Sequence, residues 1–245
     1  HGAMCISYSG RCLLSNYLVG RDANQGACTH PCRWKYSVVE EKRPGEYMPV
    51  YENERGTYIF NSKDLCMIEH MDDVLNSGID SLKIEGRMKS IAYVATVVNA
   101  YRMALDAYWQ SLAAGTPYQL DSALLQELDR ASHRPYTTGF ALGLGATPYQ
   151  APESAAYIGE GTIGAVVLSY DPQQGRGIIE QRNKFALGDT LSILSPGDVG
   201  RTLMVEGLWD LEGTPRQDTP HPRERLILAC HASLRPGDIL RIIGI

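Results

Sequence analysis

Four cysteines stand within 28 positions near the start of the chain, spaced Cys5-x6-Cys12-x15-Cys28-x3-Cys32. In a reducing compartment, thiols this close call for a purpose other than disulfide bonding. Three uses are open. Zinc takes four ligands in a tetrahedron, but its knuckles usually bring a C-x2-C pair, and neither close pair here has that spacing. A 4Fe–4S cluster takes four soft thiolates around a cube and tolerates wider loops, with Gly10, Gly20 and Gly26 letting the backbone approach. Buried, unligated thiols are the third use, because free cysteine packs as a small hydrophobe. Cys66 and Cys230 fall on the apolar side of an expected helix and inside a late expected strand, so both read as core.

A second group of reactive types is Lys83, Glu85 and Arg87. In the run from Asp80 to Arg87, Leu82 and Ile84 alternate with Lys83 and Glu85, which predicts a strand broken by Gly86. A short strand ending in charged residues suits the C-terminal rim of a (β/α) barrel strand. A Lys–Glu–Arg ion-pair network is the plainer account of the same trio, since ion pairs are commoner than active sites. Proteolytic chemistry has little support: Ser7, Ser9 and Ser15 lie near His1 and His30, but there is no G-x-S-x-G elbow and no H-E-x-x-H helix.

The elements that position these residues are partly legible. Residues 1–32 read as loop with one short helix around Leu13–Leu18, followed by strands at Lys35–Glu41, Tyr47–Tyr51 and Thr57–Phe60. Asn61 or Ser62 is expected to cap a helix with Leu65, Ile68, Val74 and Leu75 on one face, ended by Gly78. Ser90 is expected to cap a long helix to about Leu112, with Ile91, Val94, Val98, Tyr101, Leu105 and Tyr108 on its buried face. A short helix over Ser122–Ser132 leads to His133, Arg134 and the run Tyr136–Phe140, which reads as an interdomain turn, and then to a Gly- and Pro-rich linker. Beyond it, six short strands separated by turns at Asp171-Pro172, Ser195–Asp198 and Arg235–Asp238 predict a small β-barrel. The fold class is thus α/β plus β. Residues 1–150 read as the C-terminal part of a (β/α) barrel-type catalytic domain, and 151–245 as a small C-terminal β-barrel domain.

Composition narrows the function classes. With 44% hydrophobic and 21% charged residues the chain is an ordinary folded protein, and no apolar run is long enough to cross a bilayer. A cytoplasmic protein without a membrane partner is expected. The formal charge of -5 gives no global field for nucleic acid, and the first 50 residues hold only six basic against four acidic side chains. The chain opens at His1 without an initiator Met, right beside the cysteine motif, so further partners of that motif are expected upstream.

The run from His1 through Cys5 and Cys12 to Ser15 resembles the signature of the U32 peptidase family, historically named collagenase-like. So do Arg21–Gly26 running into Cys28 and Cys32, the Ser81–Arg87 run, and Tyr136–Phe140. The resemblance is strongest to members that hydroxylate the wobble uridine of tRNA using prephenate and an iron–sulfur cluster. It implies a barrel catalytic domain followed by the family's small β-barrel, a cluster on Cys5, Cys12, Cys28 and Cys32, and tRNA and prephenate as partners. Within it, Arg87 or Lys83 is expected to hold a carboxylate of the small acid, and Glu85 to act as acid or base or to orient Arg87. Arg11 and Arg33 are expected to neutralise the cluster's charge or touch RNA phosphate. The family's older name implies the alternative, a peptidase acting on protein. A third reading is a cluster-stabilised module that binds a partner through its β-barrel without chemistry of its own.

Overall fold

Caps, turns and alternation account for most of the elements. The structure, a computed structural model, describes residues 1–4, 12–34, 37–38, 42, 44–45, 48–49, 63–87, 89–143, 158–159 and 162–243. Its backbone divides into two units, His1–Met67 with His133–Tyr157, and Ile68–Ser132 with Ile158–Ile245.

In the first unit β1 (Gly2–Ala3) is followed by α1 (Leu14–Val19), then by β2 (Ser37–Val38) and β3 (Met48–Pro49), which pair antiparallel. The expected strand Thr57–Phe60 and the cap at Asn61 or Ser62 lie outside the described residues. β4 (Asp64–Leu65) is the centre of a three-stranded sheet, antiparallel to β1 and parallel to β5 (Tyr136–Thr137). This corrects the expected helix through Leu65. The backbone of Asp64 bonds to Pro135 and that of Cys66 to Thr137, and this pairing with a distant strand overrides the local helical period. Cys66 accordingly follows a strand rather than lying on a helix. Among the described residues, the expected (β/α) barrel is represented by the one parallel pair β4–β5.

The second unit opens with α2 (Met71–Asn76), which Gly78 ends in the left-handed conformation at φ 82°. The expected strand over 80–87 is absent, apart from an isolated bridge at Glu85. α3 (Ile91–Ala114) starts at Ser90, whose side chain accepts the Tyr93 amide, and ends at left-handed Gly115. Its buried face differs from the expected one. Tyr101 and Tyr108 are buried, but Ile91 is 76% exposed, Val94 and Val98 are exposed, and Ala92, Tyr93, Thr96, Val97, Ala100 and Ala104 face inward. α4 (Ser122–Asp129) follows, capped by Asp121.

The remaining strands are β6 (Thr162–Asp171), β7 (Arg176–Gln181), β8 (Thr190–Leu194), β9 (Thr202–Met204), β10 (Gly207–Trp209), β11 (Arg225–Ala229) and β12 (Ile239–Ile242). They form one antiparallel sheet in the order β10-β11-β7-β6-β12-β8-β9. The expected strand Arg201–Leu208 is in fact two. Val205 donates to the Asp189 carbonyl and Glu206 to that of Ala229, so the chain changes partners at this link. Because β9 and β10 stand at opposite ends of the strand order yet are joined by these two residues, the sheet curls into a half-barrel. Its concave side holds Ala165, Val167, Ile179, Leu191, Leu226 and Leu240, all at most 1% exposed. Cys230 belongs to this core, and burial pushes its thiol up.

The other side of β8 and β12 is covered by α3 and α4 through polar contacts. Arg241 and Glu127, 3% and 2% exposed, form an ion pair at 2.6 Å. Arg241 also donates to Ser192 at 3.0 Å and to Thr96 at 3.2 Å. Asn99 donates to the Asp198 carbonyl at 3.0 Å and accepts the Gly197 amide at 2.7 Å. Burial pulls the Arg241 guanidinium below its ordinary value, while the Glu127 carboxylate opposes that shift. Removing one partner strands a buried charge. Glu127→Ala is therefore expected to lower unfolding stability by about 3–5 kcal/mol in urea denaturation. The double change Glu127→Leu with Arg241→Met should recover most of that loss.

Candidate cofactor site

The cysteine segment is held by short-range devices. Cys12 sits two residues before α1, and Gly20, left-handed at φ 68°, ends that helix. Asp22 accepts the Asn24 amide at 2.8 Å, and the turn closes as Ala27 donates to the Asp22 carbonyl. Ser15 is fully buried, and its hydroxyl accepts the Thr29 amide at 3.1 Å while sharing a hydrogen bond with the Thr29 hydroxyl at 3.2 Å. One side chain thus ties the helix after Cys12 to the loop carrying Cys28 and Cys32. At the loop's apex His30 is left-handed, at φ 54° and ψ 48°, which turns the chain between those two cysteines. The His30 amide donates to Cys28 Sγ at 3.3 Å. Cys32 lies in the 3-10 turn Pro31–Arg33 and is buried, while Cys12 and Cys28 are half-buried.

All three are free thiols. A half-buried sulfur that already accepts a backbone N–H suits a thiolate ligand, because hydrogen bonds to sulfur stabilise and tune such centres. By donor chemistry the segment therefore fits a thiolate-bound metal or cluster. Among the described residues, no three His, Cys, Asp or Glu side chains converge on one metal position. Cys5 and Arg11 lie outside the described residues, as does the Arg33 side chain.

Lys83, Glu85 and Arg87 belong to the second unit, away in sequence from the cysteines. Lys83 and Arg87 are exposed, and Glu85 is half-buried with its carbonyl accepting the Tyr93 hydroxyl at 3.4 Å. They occupy an irregular segment rather than a strand end.

The first unit also holds a buried polar group, where an interdomain turn was expected. Asp64, His133 and Arg134 are 0%, 4% and 4% exposed. The Arg134 amide donates to Asp64 Oδ2 at 3.1 Å. His133 Nδ1 lies 2.6 Å from the Arg134 carbonyl, which only accepts, so Nδ1 carries the proton. The imidazole stacks on Tyr136 at 4.0 Å and 5°, and His1 leans on the same ring at 5.4 Å. His133 and Arg134 are thus part of the packed sheet end rather than a plain turn. No local signal pairs them with Asp64, because the bond spans 70 positions.

Residues 1–149 match the family described as Peptidase family U32, and residues 161–241 match the Peptidase family U32 C-terminal domain. The chain is 36% identical over 98% of its length to tRNA hydroxylation protein P1 of Bacillus subtilis, covering 56% of that protein. It is 37% identical over 83% of its length to tRNA hydroxylation protein P of Escherichia coli, covering 52% of that protein. Against a collagenase of Porphyromonas gingivalis the identity is 31%, over 80% of this chain and 46% of the other. The chain spans about half the length of these curated relatives.

Two outcomes follow from the site's anchors. Ser15→Ala removes both bonds to Thr29, worth about 1–2 kcal/mol locally, so Cys28 and Cys32 should react roughly 5–30 times faster with a thiol reagent. Asp64→Ala leaves the buried Arg134 amide without its acceptor and should cost about 1–3 kcal/mol, read as a lower melting temperature.

Proposed function

This chain belongs to peptidase family U32, and on that premise we propose that it is part of an RNA hydroxylation enzyme. The reading is carried by the similarity to tRNA hydroxylation proteins that runs along nearly the whole chain. In the finer form of the proposal the substrate is the wobble uridine of tRNA, hydroxylated at C5 with prephenate as co-substrate. Cys5, Cys12, Cys28 and Cys32 hold a 4Fe–4S cluster; zinc is the alternative occupant. Such a cluster supplies electron transfer or a structural clamp, since four cysteine ligands leave no iron open to substrate.

The protein's own residues would do the rest. Arg87 or Lys83, both exposed, would hold a carboxylate of the small acid, Arg87 bidentately, and Glu85 would hold a proton or orient Arg87. Arg11 and Arg33 flank the cysteines and suit phosphate or cluster charge. In this reading residues 1–150 are the catalytic part and 151–245 a β-rich domain that positions a partner or packs on the catalytic part. No helix among the described residues is long and apolar enough to cross a membrane.

The family name and the collagenase relative favour a second reading, proteolysis. It has less support from the side chains: Ser15 is fully buried and engaged with Thr29, far from the exposure a nucleophile needs.

The test is anaerobic purification of the natural protein with iron, sulfide and zinc analysis, and mass spectrometry of tRNA from cells carrying wild type or Cys28→Ala. Iron and sulfide in comparable amounts, with 5-hydroxyuridine lost in the variant, are the expected result. Stoichiometric zinc would replace the cluster. Unchanged 5-hydroxyuridine after deletion of the gene, together with protein cleavage by the wild type, would put proteolysis in its place.

A further inference from the structure

The outer face of the curled sheet across β10, β11 and β7 carries an arrangement that the cysteine segment does not use. Alternation sends Ile179, Leu226 and Leu228 into the core and turns Arg176, Ile178, Glu180, Arg225 and Ile227 outward. The register places Trp209 beside Ile227 and Ile227 beside Ile178, so one aromatic and aliphatic row crosses three strands. Ile178 is exposed, as is Leu168 on the adjoining β6. The Trp209 indole lies across Gly207, where a Cβ would fall 2.1 Å from a ring carbon. Glycine is what lets the ring lie down on the sheet. Over that ring, 4.5 Å from its centroid, sits the Arg176 guanidinium.

The charges around this stack are paired except at Arg176. Arg182 and Arg225 share one carboxylate, Glu180, at 2.7 Å and 4.0 Å. Arg216 is satisfied by Asp210 at 3.2 Å and Glu224 at 3.8 Å. Among the described residues Arg176 has no carboxylate within 4.0 Å. Its cross-strand partner Asp171 instead accepts the amides of Gln173 and Gln174, at 2.9 Å and 3.4 Å. Four guanidinium groups and four carboxylates thus share this patch, and of the four arginines it is Arg176, over the indole, that makes no carboxylate contact among the described residues. A guanidinium held over an indole offers a π-face to a base and N–H donors to a phosphate, a combination that unpaired nucleic acid uses and that needs no sequence readout.

We propose that this face is a docking surface for unpaired RNA, with a base stacked on the Arg176–Trp209 pair and a phosphate on the guanidinium edge. The proposal rests on the reading of this protein as RNA-modifying and adds to it where the RNA is held. Arg176 selects the partner: a phosphate supplies the counter-charge that Arg182 and Arg225 already draw from Glu180, whereas a neutral protein surface would leave Arg176 desolvated without one.

The experiment is fluorescence anisotropy of the natural full-length protein with labelled single-stranded RNA of about 12 nucleotides, titrated at several salt concentrations. Arg176→Ala and Trp209→Ala should each weaken binding about tenfold. Arg176→Ala should also lower the salt slope by about one phosphate, and Arg176→Lys should restore the slope but not the full affinity. Melting temperatures establish that each variant is folded. Binding by folded variants within twofold of wild type overturns the proposal, and so does displacement of the RNA by an acidic peptide at equal concentration, which would make this a protein-docking face. If the variants lose RNA binding but gene deletion leaves cellular RNA hydroxylation unchanged, the surface stands and the RNA-hydroxylation reading fails. If gene deletion abolishes hydroxylation and the variants bind as wild type does, the surface alone fails.

Discussion

The buried ion pair between Glu127 and Arg241, with its hydrogen bonds to Ser192 and Thr96, ties together four elements of the second unit. Two charges at 3% exposure or less are costly to desolvate, and they are tolerated because Ser192, Thr96 and Arg130 supply further partners. Each partner comes from a different element, so satisfying the pair fixes how α3 and α4 lie on β8 and β12. Asn99 adds a two-ended clamp on the Ser195–Asp198 turn. The helices fall within the stretch that matches the first family domain and the strands within the second, yet they share one buried network.

That constraint explains the orientation of α3. The helix has two candidate stripes, a larger aliphatic one through Ile91, Val94 and Val98, and one mixing alanine, tyrosine, Thr96 and Asn99. Burying the second satisfies Arg241 and the turn and lets small side chains bring the helix close to the sheet, which leaves Ile91 76% exposed. The buried stripe carries apolar area of its own in Tyr93, Val97, Tyr101 and Tyr108, and it also gives the buried guanidinium a hydrogen bond whose loss would leave an unsatisfied buried charge costing several kcal/mol.

The cysteine segment is organised on a different principle. Among its described residues the large apolar side chains of Leu13, Tyr17, Leu18 and Trp34 are all exposed. Its shape comes from hydrogen bonds between Ser15 and Thr29, the Asp22 turn and the left-handed His30. The outer sheet face is the reverse case, a rigid platform whose Trp209 ring is set by Gly207 and the strand register.

The sequence by itself determined what depends on neighbours in the chain. Cysteine spacing, α1, the Ser90 cap of α3, the Asp171 and Asp238 turns, and the β-rich second half all rest on periods or on contacts a few residues long. Only the tertiary structure decided the rest. The centre strand β4 lies where a helical period was expected, because it pairs with β5 far along the chain. The run Arg201–Leu208 splits because it serves both ends of a curled sheet. Bonds such as Asp64 to Arg134 and Arg241 to Thr96 span 70 and 145 positions and leave no periodic trace. Local propensity is a sum over adjacent residues, whereas the choice of buried face and strand partner is made by charges and backbone groups that meet only once the chain has folded.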